Sequence, residues 1–443
     1  VAPGWRRNRG KYLENTGGRP VEFMGDPQFT AILELSFADG RKDSIMTDES
    51  WRSSTGPVVQ THIFGGEIYD AGKEIPHWCT AQMVGAGDNC HRTDAPTKVM
   101  ELQKLEPVRV GRVYIPSSVS QPQSGVFVFD FGQNLAGVCQ IKIPADLPEG
   151  TKITIRHAEL LDEEGMLYTA PLRTAAATDC YISGKPDGKE RTWQPEFTYH
   201  GFRYAEVTGL DRVPEQDFIC ALALHNDVEN GSMFRCGSGM VNQLHAAIVA
   251  TELANIHNVP TDCPQRDERM FWLNDATVRF EEMPFNVECG QLMPKIVRDI
   301  MDAQYDRGAI PCTVPFIYGT RPTDPVCSSF LVAAKQAYLH HGNVELIRQA
   351  YPALREWNEC LWNMAEDGII PNTLYGDWAS PEDCCMEIAP FSAVTPGTVL
   401  STGYCYYNAS VLAKFAGLLN LTDEEEKQRS RAEVIKKAML HKW

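Results

Sequence analysis

The densest group of chemically active side chains lies in residues 259–276 (VPTDCPQRDERMFWLNDA), where the carboxylates of Asp262, Glu268 and Asp275 surround the indole of Trp272. Carboxylates are almost never buried without a partner, so this arrangement is a poor core surface. It suits a sugar pocket, in which the indole stacks on a pyranose ring and the carboxylates accept its hydroxyl groups. Crowding of like charges raises the pKa of at least one carboxyl, which then can act as a general acid near neutral pH.

The spacing within this segment predicts how a helix would present these groups. Two prolines keep the first part extended, so we predict a helix that begins near Arg266. Glu268, Trp272 and Asp275 then stand at positions i, i+4 and i+7 on one helix face. The alternative is a solvated helix face whose carboxylates pair with Arg266 and Arg269.

A second candidate is the Tyr-Gly-Asp-Trp segment at residues 375–378. Glycine permits a tight turn there, Asp377 can accept sugar hydroxyls, and Trp378 offers a second stacking surface. An ordinary turn that packs its tryptophan into the core explains the same residues. His200 and Arg203 form a third candidate, although a role in tying the last sandwich strand to its neighbours fits them better.

The elements that must position these groups change in character near residue 230. Before it, short segments rich in β-branched or aromatic residues and bounded by glycine, proline or aspartate predict strands. Many such strands at this spacing indicate β-sandwiches, and we expect a first sandwich to end near residue 100. The predicted strands cover residues 29–37, 125–131, 139–143, 152–157 and 204–207.

After residue 235 the apolar period changes to that of a helix. Ser238 is predicted to cap a first helix that reaches Leu253, Pro352 to begin a new helix, and Thr422 with Glu425 to form a capping box. Further predicted helices cover residues 268–281, 293–304, 328–341, 352–366, 401–419 and 423–440. About seven helices paired through short loops, with no strands between them, indicate an α/α toroid.

Composition limits the class of protein. The chain has 443 residues, enough for about two to four domains, and it is 43% hydrophobic and 22% charged. Its formal net charge of −17 repels phosphate groups, so we expect neither nucleic acid nor a membrane as a partner. The 14 cysteines show no zinc-binding spacing, which favours free thiols in a reducing compartment over the disulfides of a periplasmic enzyme.

Several segments together resemble bacterial α-L-rhamnosidases of glycoside hydrolase family seventy-eight. They are residues 126–143 (VFVFDFGQNLAGVCQIKI), 154–180, 193–209 (WQPEFTYHGFRYAEVTG), 259–276 and the Gly-Asp-Trp turn at 376–378. The resemblance covers nearly the whole chain in the order of the family, and its PTDCPQRDER stretch is specific to that family. It implies two β-sandwich domains followed by an (α/α)6 barrel, and inverting hydrolysis of terminal α-L-rhamnosides.

The resemblance also implies residue roles. Glu268 falls on the general acid, Asp262 on a residue that binds the rhamnose, and Trp378 on an aromatic residue that contacts the sugar. An inverting mechanism needs a second carboxylate about 6.5–9.5 Å from the acid, and in the family this base is a glutamate late in the barrel. We therefore expect the base to lie beyond Trp443, and the sequence to be a fragment that lacks both ends, since residues 1–7 resemble an internal strand.

The chain departs from the family pattern in two places. Residues 271–275 read Phe-Trp-Leu-Asn-Asp, where the family usually has Gly-Trp-x-Gly-Asp. Residues 325–329 lack the Trp and Asp that usually open the next helix. This altered wall of the usual rhamnose site favours two alternatives. One is a non-catalytic glycan-binding protein on the same fold, and the other is a hydrolase or lyase of another terminal sugar.

We therefore expect a multidomain protein with an incomplete β-sandwich over residues 1–100, a second, jelly-roll-like β-sandwich over 101–230 and the N-terminal portion of a catalytic (α/α)6 toroid barrel over 231–443. Its expected function is that of an inverting exo-glycosidase that removes terminal non-reducing α-L-rhamnose from glycosides or plant polysaccharides. The expected catalytic residues are Glu268, Asp262 and Asp275. The expected substrate-binding residues are Trp272, Asp377, Trp378 and Arg266.

The same chemistry requires no metal and no organic cofactor. The expected partner is a rhamnose-containing carbohydrate, and self-association is allowed because an open half-toroid exposes apolar helix faces. The sequence leaves the compartment open between cytoplasm and periplasm.

Overall fold

A computed structural model describes the protein over residues 29–75, 78–80, 102–228, 231–317, 319–371, 373–378 and 395–443. Contacts divide the chain into two compact units. The sandwich unit comprises Val1–Gln103, Arg109–His225 and Cys263–Glu268, and the helical unit comprises Lys104–Val108, Asn226–Asp262 and Arg269–Trp443. The predicted strand at residues 1–7 lies outside the described residues, and the predicted domain boundaries near residues 100 and 230 stay predictions.

The described strands all lie before residue 227, in the part of the chain where strands are predicted, and they are more numerous than the five predicted segments. They are β1 (Ile32–Ser36), β2 (Lys42–Met46), β3 (Arg52–Ser53), β4 (Val58–His62), β5 (Gly66–Asp70), β6 (Cys79–Thr80), β7 (Val108–Tyr114), β8 (Ser118–Gln123), β9 (Val126–Ile143), β10 (Lys152–Ala158), β11 (Leu160–Leu161), β12 (Leu167–Tyr168), β13 (Thr178–Ile182), β14 (Arg191–Trp193), β15 (His200–Thr208) and β16 (Ile219–Asn226).

One ten-stranded sheet dominates the sandwich unit. Its main path runs β4-β5-β13-β10-β15-β9-β16-β7, and β8 and β14 also pair with β9. The long strand β9 unites the two strands predicted at residues 125–131 and 139–143. Its first half pairs with β8 and β15, and its second half pairs with β14, β15 and β16. The register of β15 shifts between Phe202 and Tyr204, where the strand passes from one half to the other.

The alternation of side chains places apolar residues of this sheet in one core. On β10, Ile153 and Ile155 are fully buried, and they share a cluster with Phe129, Ile141 and Phe202. Burial of such side chains contributes about 1.5–3 kcal/mol each, which is the main driving force for this unit. The core therefore forms where the predicted strands carry their apolar faces.

A separate hairpin confirms the strand predicted at residues 29–37. β1 pairs antiparallel with β2, from Ile32 opposite Met46 to Ser36 opposite Lys42. Gly40 closes the turn with a φ of 84°, a conformation that glycine adopts without steric cost. Two further two-stranded pairs, β3 with β6 and β11 with β12, complete the described strands.

The described helices follow residue 238, as the change of period predicts. They are α1 (Gly239–Leu253), α2 (Leu273–Arg279), α3 (Met283–Asn286), α4 (Leu292–Ala303), α5 (Ser329–His341), α6 (Val344–Met364), α7 (Gly397–Leu418) and α8 (Thr422–Lys442). Ser238 caps α1 as predicted, because its side chain accepts a hydrogen bond from the amide of Val241 at 3.4 Å. Helices predicted at residues 293–304, 328–341, 401–419 and 423–440 are confirmed as α4, α5, α7 and α8.

Two local predictions about helix starts are wrong. Pro352 does not begin a helix but lies inside α6, which is continuous from Val344 to Met364. Buried residues on both sides of the proline, such as Ile347 and Trp357, hold the helix against the core and offset the missing hydrogen bond. The capping box of α8 is also absent, since Glu425 binds Arg429 one turn further along at 2.9 Å.

The helices of the helical unit share one apolar core. Phe271, Phe280, Phe330, Leu354 and Trp357 are fully buried in it. Among the helices of the described residues, none combines the length and apolar character that crossing a bilayer requires. The cysteines of the described residues are free thiols.

Candidate active site

Residues 262–272 form a folded-back loop rather than the first turns of a helix. The amide of Asp262 donates to the carbonyl of Met270 at 3.0 Å, and the amide of Met270 donates to Asp262 Oδ1 at 2.7 Å. Between them Arg269 has a φ of 53°, which a right-handed helix excludes. The prediction of a helix beginning near Arg266 is therefore wrong, because the side chain of Asp262 takes the amide that helix formation would use.

Glu268, Trp272 and Asp275 therefore do not share the helix face that their i, i+4, i+7 spacing had predicted. Trp272 is the N-cap residue of α2, and Asp275 lies in the first turn of that helix. The backbone of Trp272 forms a β-bridge with Thr313, which fixes where α2 begins. Glu268 precedes the helix and belongs by its contacts to the sandwich unit. Residue spacing in this segment therefore did not predict how its side chains are presented.

Glu268 is held by two guanidinium groups. Its Oε2 accepts a hydrogen bond from Arg266 Nε at 2.7 Å and another from Arg173 Nη1 at 3.0 Å. The Glu268 side chain is 10% exposed, whereas that of Arg173 is 42% exposed. The pairing with Arg266 agrees with one part of the alternative, which was a solvated helix face, but the segment is not helical and Glu268 is largely buried. Arg173 was missed, although it lies in residues 154–180, a stretch that carries the family resemblance.

The loop that carries Glu268 packs closely on other residues of the sandwich unit, to which it belongs. Thr174 Oγ1 donates a short hydrogen bond to Asp267 Oδ2. A Cβ atom at Gly201 would lie 2.8 Å from the Cβ of Gln265 and 2.9 Å from Cγ of Pro264, so only glycine allows this approach. Glu268 therefore projects from a loop whose neighbouring residues are fixed by packing and by a hydrogen bond.

His200 and Arg203 have structural partners within the sandwich unit. Arg203 forms two hydrogen bonds of 2.8 Å with the carboxylate of Asp130. His200 Nε2 lies 3.0 Å from Asp179 Oδ2, and both side chains are fully buried. Burial alone raises the pKa of Asp179, but the charge and hydrogen bond of His200 outweigh it and hold that pKa below its usual range. These contacts match the structural role expected for both residues.

His157 joins this buried pair, and the three side chains could suggest a metal site. The rings of His157 and His200 stack with centroids 4.3 Å apart and planes inclined by only 20°. A metal ion must lie close to the plane of each imidazole that binds it, and two nearly parallel stacked rings have no such shared position. Asp179 Oδ1 also accepts the amide of Glu67 at 2.9 Å, so the cluster connects strands.

The helical unit contains a row of three aromatic rings. Trp272 and Tyr375 meet edge to face with centroids 6.2 Å apart, and Tyr375 and Trp378 meet in the same way at 5.3 Å. Tyr375 is buried, and burial raises its pKa well above the usual range, whereas Trp378 is 43% exposed. Trp378 therefore does not pack into the core as an ordinary turn residue would, and Asp377 beside it is half-buried.

Asp324 fixes the turn that carries Trp378, and sequence reasoning missed it. Its buried Oδ2 accepts hydrogen bonds from Thr373 Oγ1 at 2.7 Å and from the amides of Leu374 and Tyr375 at 2.8 Å each. A carboxylate that accepts two adjacent backbone amides restrains the turn strongly. The sequence feature that could have indicated Asp324 is its position directly before Pro325. Residues 325–329 are the stretch that lacks the Trp and Asp usual in the family.

Positive charge lies among the carboxylates of the helical unit. Arg279 is half-buried; loss of hydration lowers its pKa, and the negative charges of Asp275, Glu252, Asp262 and Glu282 oppose that effect. Arg279 follows Asp275 by one helical turn on α2. Repulsion between like charges is thus not the only electrostatic feature around Asp262 and Asp275, because the half-buried guanidinium of Arg279 offsets part of that repulsion.

Three family models match successive parts of the chain. The alpha-L-rhamnosidase N-terminal domain matches residues 1–112, the bacterial alpha-L-rhamnosidase concanavalin-like domain matches residues 120–225, and the bacterial alpha-L-rhamnosidase 6 hairpin glycosidase domain matches residues 229–443. Together they confirm the predicted fold class, which is β-sandwich domains followed by a six-hairpin α/α domain.

Individual relatives agree with these matches. An alpha-L-rhamnosidase of Streptomyces avermitilis is 33% identical over 94% of this chain and 39% of its own length, and one of Formosa agariphila is 29% identical over 99% of this chain and 47% of its own length. The structure of the Streptomyces avermitilis enzyme complexed with L-rhamnose superposes with a TM-score of 0.83 at 30% identity, covering 94% of this chain and 39% of that one.

A second solved structure, the alpha-L-rhamnosidase from Dictyoglumus thermophilum, gives a TM-score of 0.81 at 32% identity and covers 92% of this chain and 45% of that one. The chain thus spans less than half the length of the curated relatives it matches. The three models and these relatives are all described as alpha-L-rhamnosidases or their domains, and the models together match nearly every residue of the sequence. The chain belongs to the bacterial α-L-rhamnosidase family.

Proposed function

We propose that the intact protein is an inverting, exo-acting α-L-rhamnosidase that releases terminal non-reducing α-L-rhamnose from glycosides or plant polysaccharides. The observation that carries the proposal is the likeness, at 30% identity over 94% of the chain, to the Streptomyces avermitilis enzyme whose structure contains L-rhamnose. The set of carboxylates at Asp262, Glu268 and Asp275 supports a hydrolytic role, because binding alone does not require a general acid.

In this proposal Glu268 is the general acid. It donates its proton to the glycosidic oxygen as the bond from that oxygen to the anomeric carbon breaks. A second carboxylate removes a proton from a water molecule, which attacks the anomeric carbon from the opposite face. Since both guanidinium contacts of Glu268 are made to Oε2, Oε1 is the oxygen that we assign to proton transfer.

The remaining candidate residues bind the sugar in this proposal. Asp262 and Asp275 accept ring hydroxyls, which ionised carboxylates do well. The partly exposed rings of Trp272 and Trp378 offer apolar faces for stacking on a pyranose. Two polar residues extend these contacts, Asp377 beside Trp378 and Arg266 beside Glu268.

The experiment is hydrolysis of para-nitrophenyl α-L-rhamnoside by the intact protein, with proton NMR of the first sugar released. We expect β-L-rhamnose as the first product, since inversion changes the anomeric configuration. Appearance of the α anomer first would refute inversion. A rhamnan oligosaccharide tests exo-action, because at early times an exo-enzyme releases rhamnose and a chain one residue shorter, whereas internal cleavage also releases oligosaccharides of other lengths.

Glu268→Gln tests the catalytic assignment. We expect it to lower kcat on phenyl α-L-rhamnoside about a hundredfold or more, with rhamnose binding largely retained. The matched control is Glu206→Gln, because Glu206 is also buried in the sandwich unit and also accepts a hydrogen bond from an arginine, Arg156. Full turnover by Glu268→Gln contradicts the assignment. Binding of rhamnose without turnover by the wild type indicates a glycan-binding protein instead.

A further inference from the structure

A loop of the sandwich unit reaches the carboxylate of Glu268. A 3-10 helix, Ala170–Leu172, ends at Arg173, whose backbone has a φ of 56°. The loop is anchored by its apolar residues, since Leu172, Ala175 and Ala177 are buried in one cluster with Phe64. Arg173 therefore extends from a backbone that is anchored by apolar packing on both of its sides.

The two arginines that bind Glu268 are held in different ways. Arg266 lies two residues before Glu268 on the same loop, so the two move together when that loop shifts. Arg173 lies 95 residues away in sequence and binds the same oxygen, Oε2. The hydrogen bond from Thr174 to Asp267 adds a second contact between the two loops. The contacts from residues 173 and 174 thus tie the carboxylate and its neighbour to a part of the sandwich unit that is distant in sequence.

From this geometry we infer that Arg173 is a positioning residue for Glu268: it holds Oε2 so that Oε1 meets the glycosidic oxygen of a bound rhamnoside. The inference rests on the proposed function. It extends that function, because it gives a residue 95 positions away from Glu268 in sequence a role in the chemical step.

The magnitudes separate this role from a structural one. The Arg173 side chain is 42% exposed, so its ion pair contributes at most about 1 kcal/mol to folding. A misplacement of a catalytic group by about 1 Å costs about a hundredfold in rate. Loss of Arg173 therefore changes stability little and the rate of proton transfer strongly.

The chain offers a closely matched control. Arg156 Nη1 donates to Glu206 Oε1 at 3.0 Å, the same distance as from Arg173 Nη1 to Glu268 Oε2. Arg156 is 41% exposed and Glu206 is 4% exposed, compared with 42% for Arg173 and 10% for Glu268. Arg156 pairs within the sheet, on a strand, and it is not a part of the proposed site. Arg156→Ala thus reproduces the loss of a half-exposed arginine without touching Glu268.

The experiment measures kcat and KM of the intact wild type, Arg173→Ala, Arg173→Lys and Arg156→Ala on two aryl α-L-rhamnosides. Para-nitrophenol leaves readily without protonation, whereas phenol depends on the general acid. We expect Arg173→Ala to lower kcat about a hundredfold on the phenyl glycoside and less than about tenfold on the para-nitrophenyl glycoside, with little change in KM. Arg173→Lys restores part of the loss, and Arg156→Ala changes neither substrate by more than about twofold.

Three outcomes overturn the inference. Equal losses on both substrates show that proton transfer is not what Arg173 serves. A rise in KM alone assigns Arg173 to sugar binding, and an equal effect of Arg156→Ala assigns the loss to general destabilisation.

Circular dichroism and melting temperature check that each variant folds. If Arg173→Ala does not fold, Arg173→Lys is the variant that decides the test. A wild type that hydrolyses neither substrate refutes the proposed function and this inference with it, whereas an active wild type isolates the role of Arg173.

Discussion

A buried carboxyl in the helical unit makes the stability of the protein depend on pH. Glu252, on α1, is 3% exposed, and its Oε2 accepts a hydrogen bond from Asn286 Nδ2 at 2.7 Å. Burial raises its pKa from 4.5 to about 7; the neighbouring charge of Glu282 adds to this effect, and the Asn286 hydrogen bond and the charge of Arg279 oppose it. Glu252 therefore remains protonated in the folded state at pH values where it is ionised in the unfolded chain.

The sign of the effect follows from proton binding. Below about pH 4.5 both states hold the proton, so Glu252 has no effect on the pH dependence. Between about pH 4.5 and pH 7 the folded state binds more protons than the unfolded state, so stability falls as pH rises. Above about pH 7 the carboxyl is ionised in both states, and the full free-energy cost of ionising Glu252 in the folded state is present. A shift from 4.5 to about 7 corresponds to about 3 kcal/mol, at 1.36 kcal/mol for each unit of pKa.

We predict that Glu252→Gln stabilises the helical unit at pH 8 by up to about 3 kcal/mol and has little effect at pH 4.5. Glutamine keeps the shape of the side chain and an oxygen that can accept from Asn286. The assay is calorimetric unfolding of wild type and variant from pH 4.5 to pH 8. A difference in melting temperature that is constant over this range would refute the reasoning.

Glu359→Gln is a control of opposite sign in the same unit. The hydrogen bond from Arg431 lowers the pKa of Glu359 to about 2, with Lys427 adding to it. The stabilisation from this carboxylate is complete above its unfolded pKa and is lost as pH falls toward about 2. Glu359→Gln is therefore expected to destabilise the protein near neutral pH and to lose its effect in acid.

Two further variants test the fold and the turn near the candidate sugar site. Gly137→Ala is expected to prevent folding of the sandwich unit, because the new Cβ would lie 1.9 Å from the carbonyl oxygen of Leu222; soluble yield and circular dichroism measure this. Gly125→Ala, whose Cβ meets nothing within 4 Å, is the control and costs about 1 kcal/mol through its positive φ. Asp324→Ala removes the shared acceptor of the turn at residues 373–378, so we expect KM for a rhamnoside to rise about tenfold with a smaller change in kcat. An unchanged KM would contradict the role of Asp324 in holding Trp378.

Local pattern predicted the change from strands to helices and the position of several elements of this protein. The β-branched segments before residue 230 predicted strands such as β1 and β10, and Ser238 predicted the start of α1. These signals succeed because strand alternation and helix capping act between residues close in sequence. Pattern failed at Pro352, where packing of both halves of α6 offsets the local preference of proline to begin a helix.

The sequence by itself determined the family and the fold class, because those depend on residue types and on short motifs, and it supplied the candidate site residues on which the proposed function is built. Only the tertiary structure decided how they are presented. The bond from the amide of Met270 to Asp262 stops the predicted helix, Arg173 reaches Glu268 across 95 positions of sequence, and Asp324 holds the turn before Trp378. The last two contacts join residues distant in sequence and depend on the packing of hydrophobic cores. The first joins a side chain to an amide eight positions along, and no spacing rule within one element predicts any of the three.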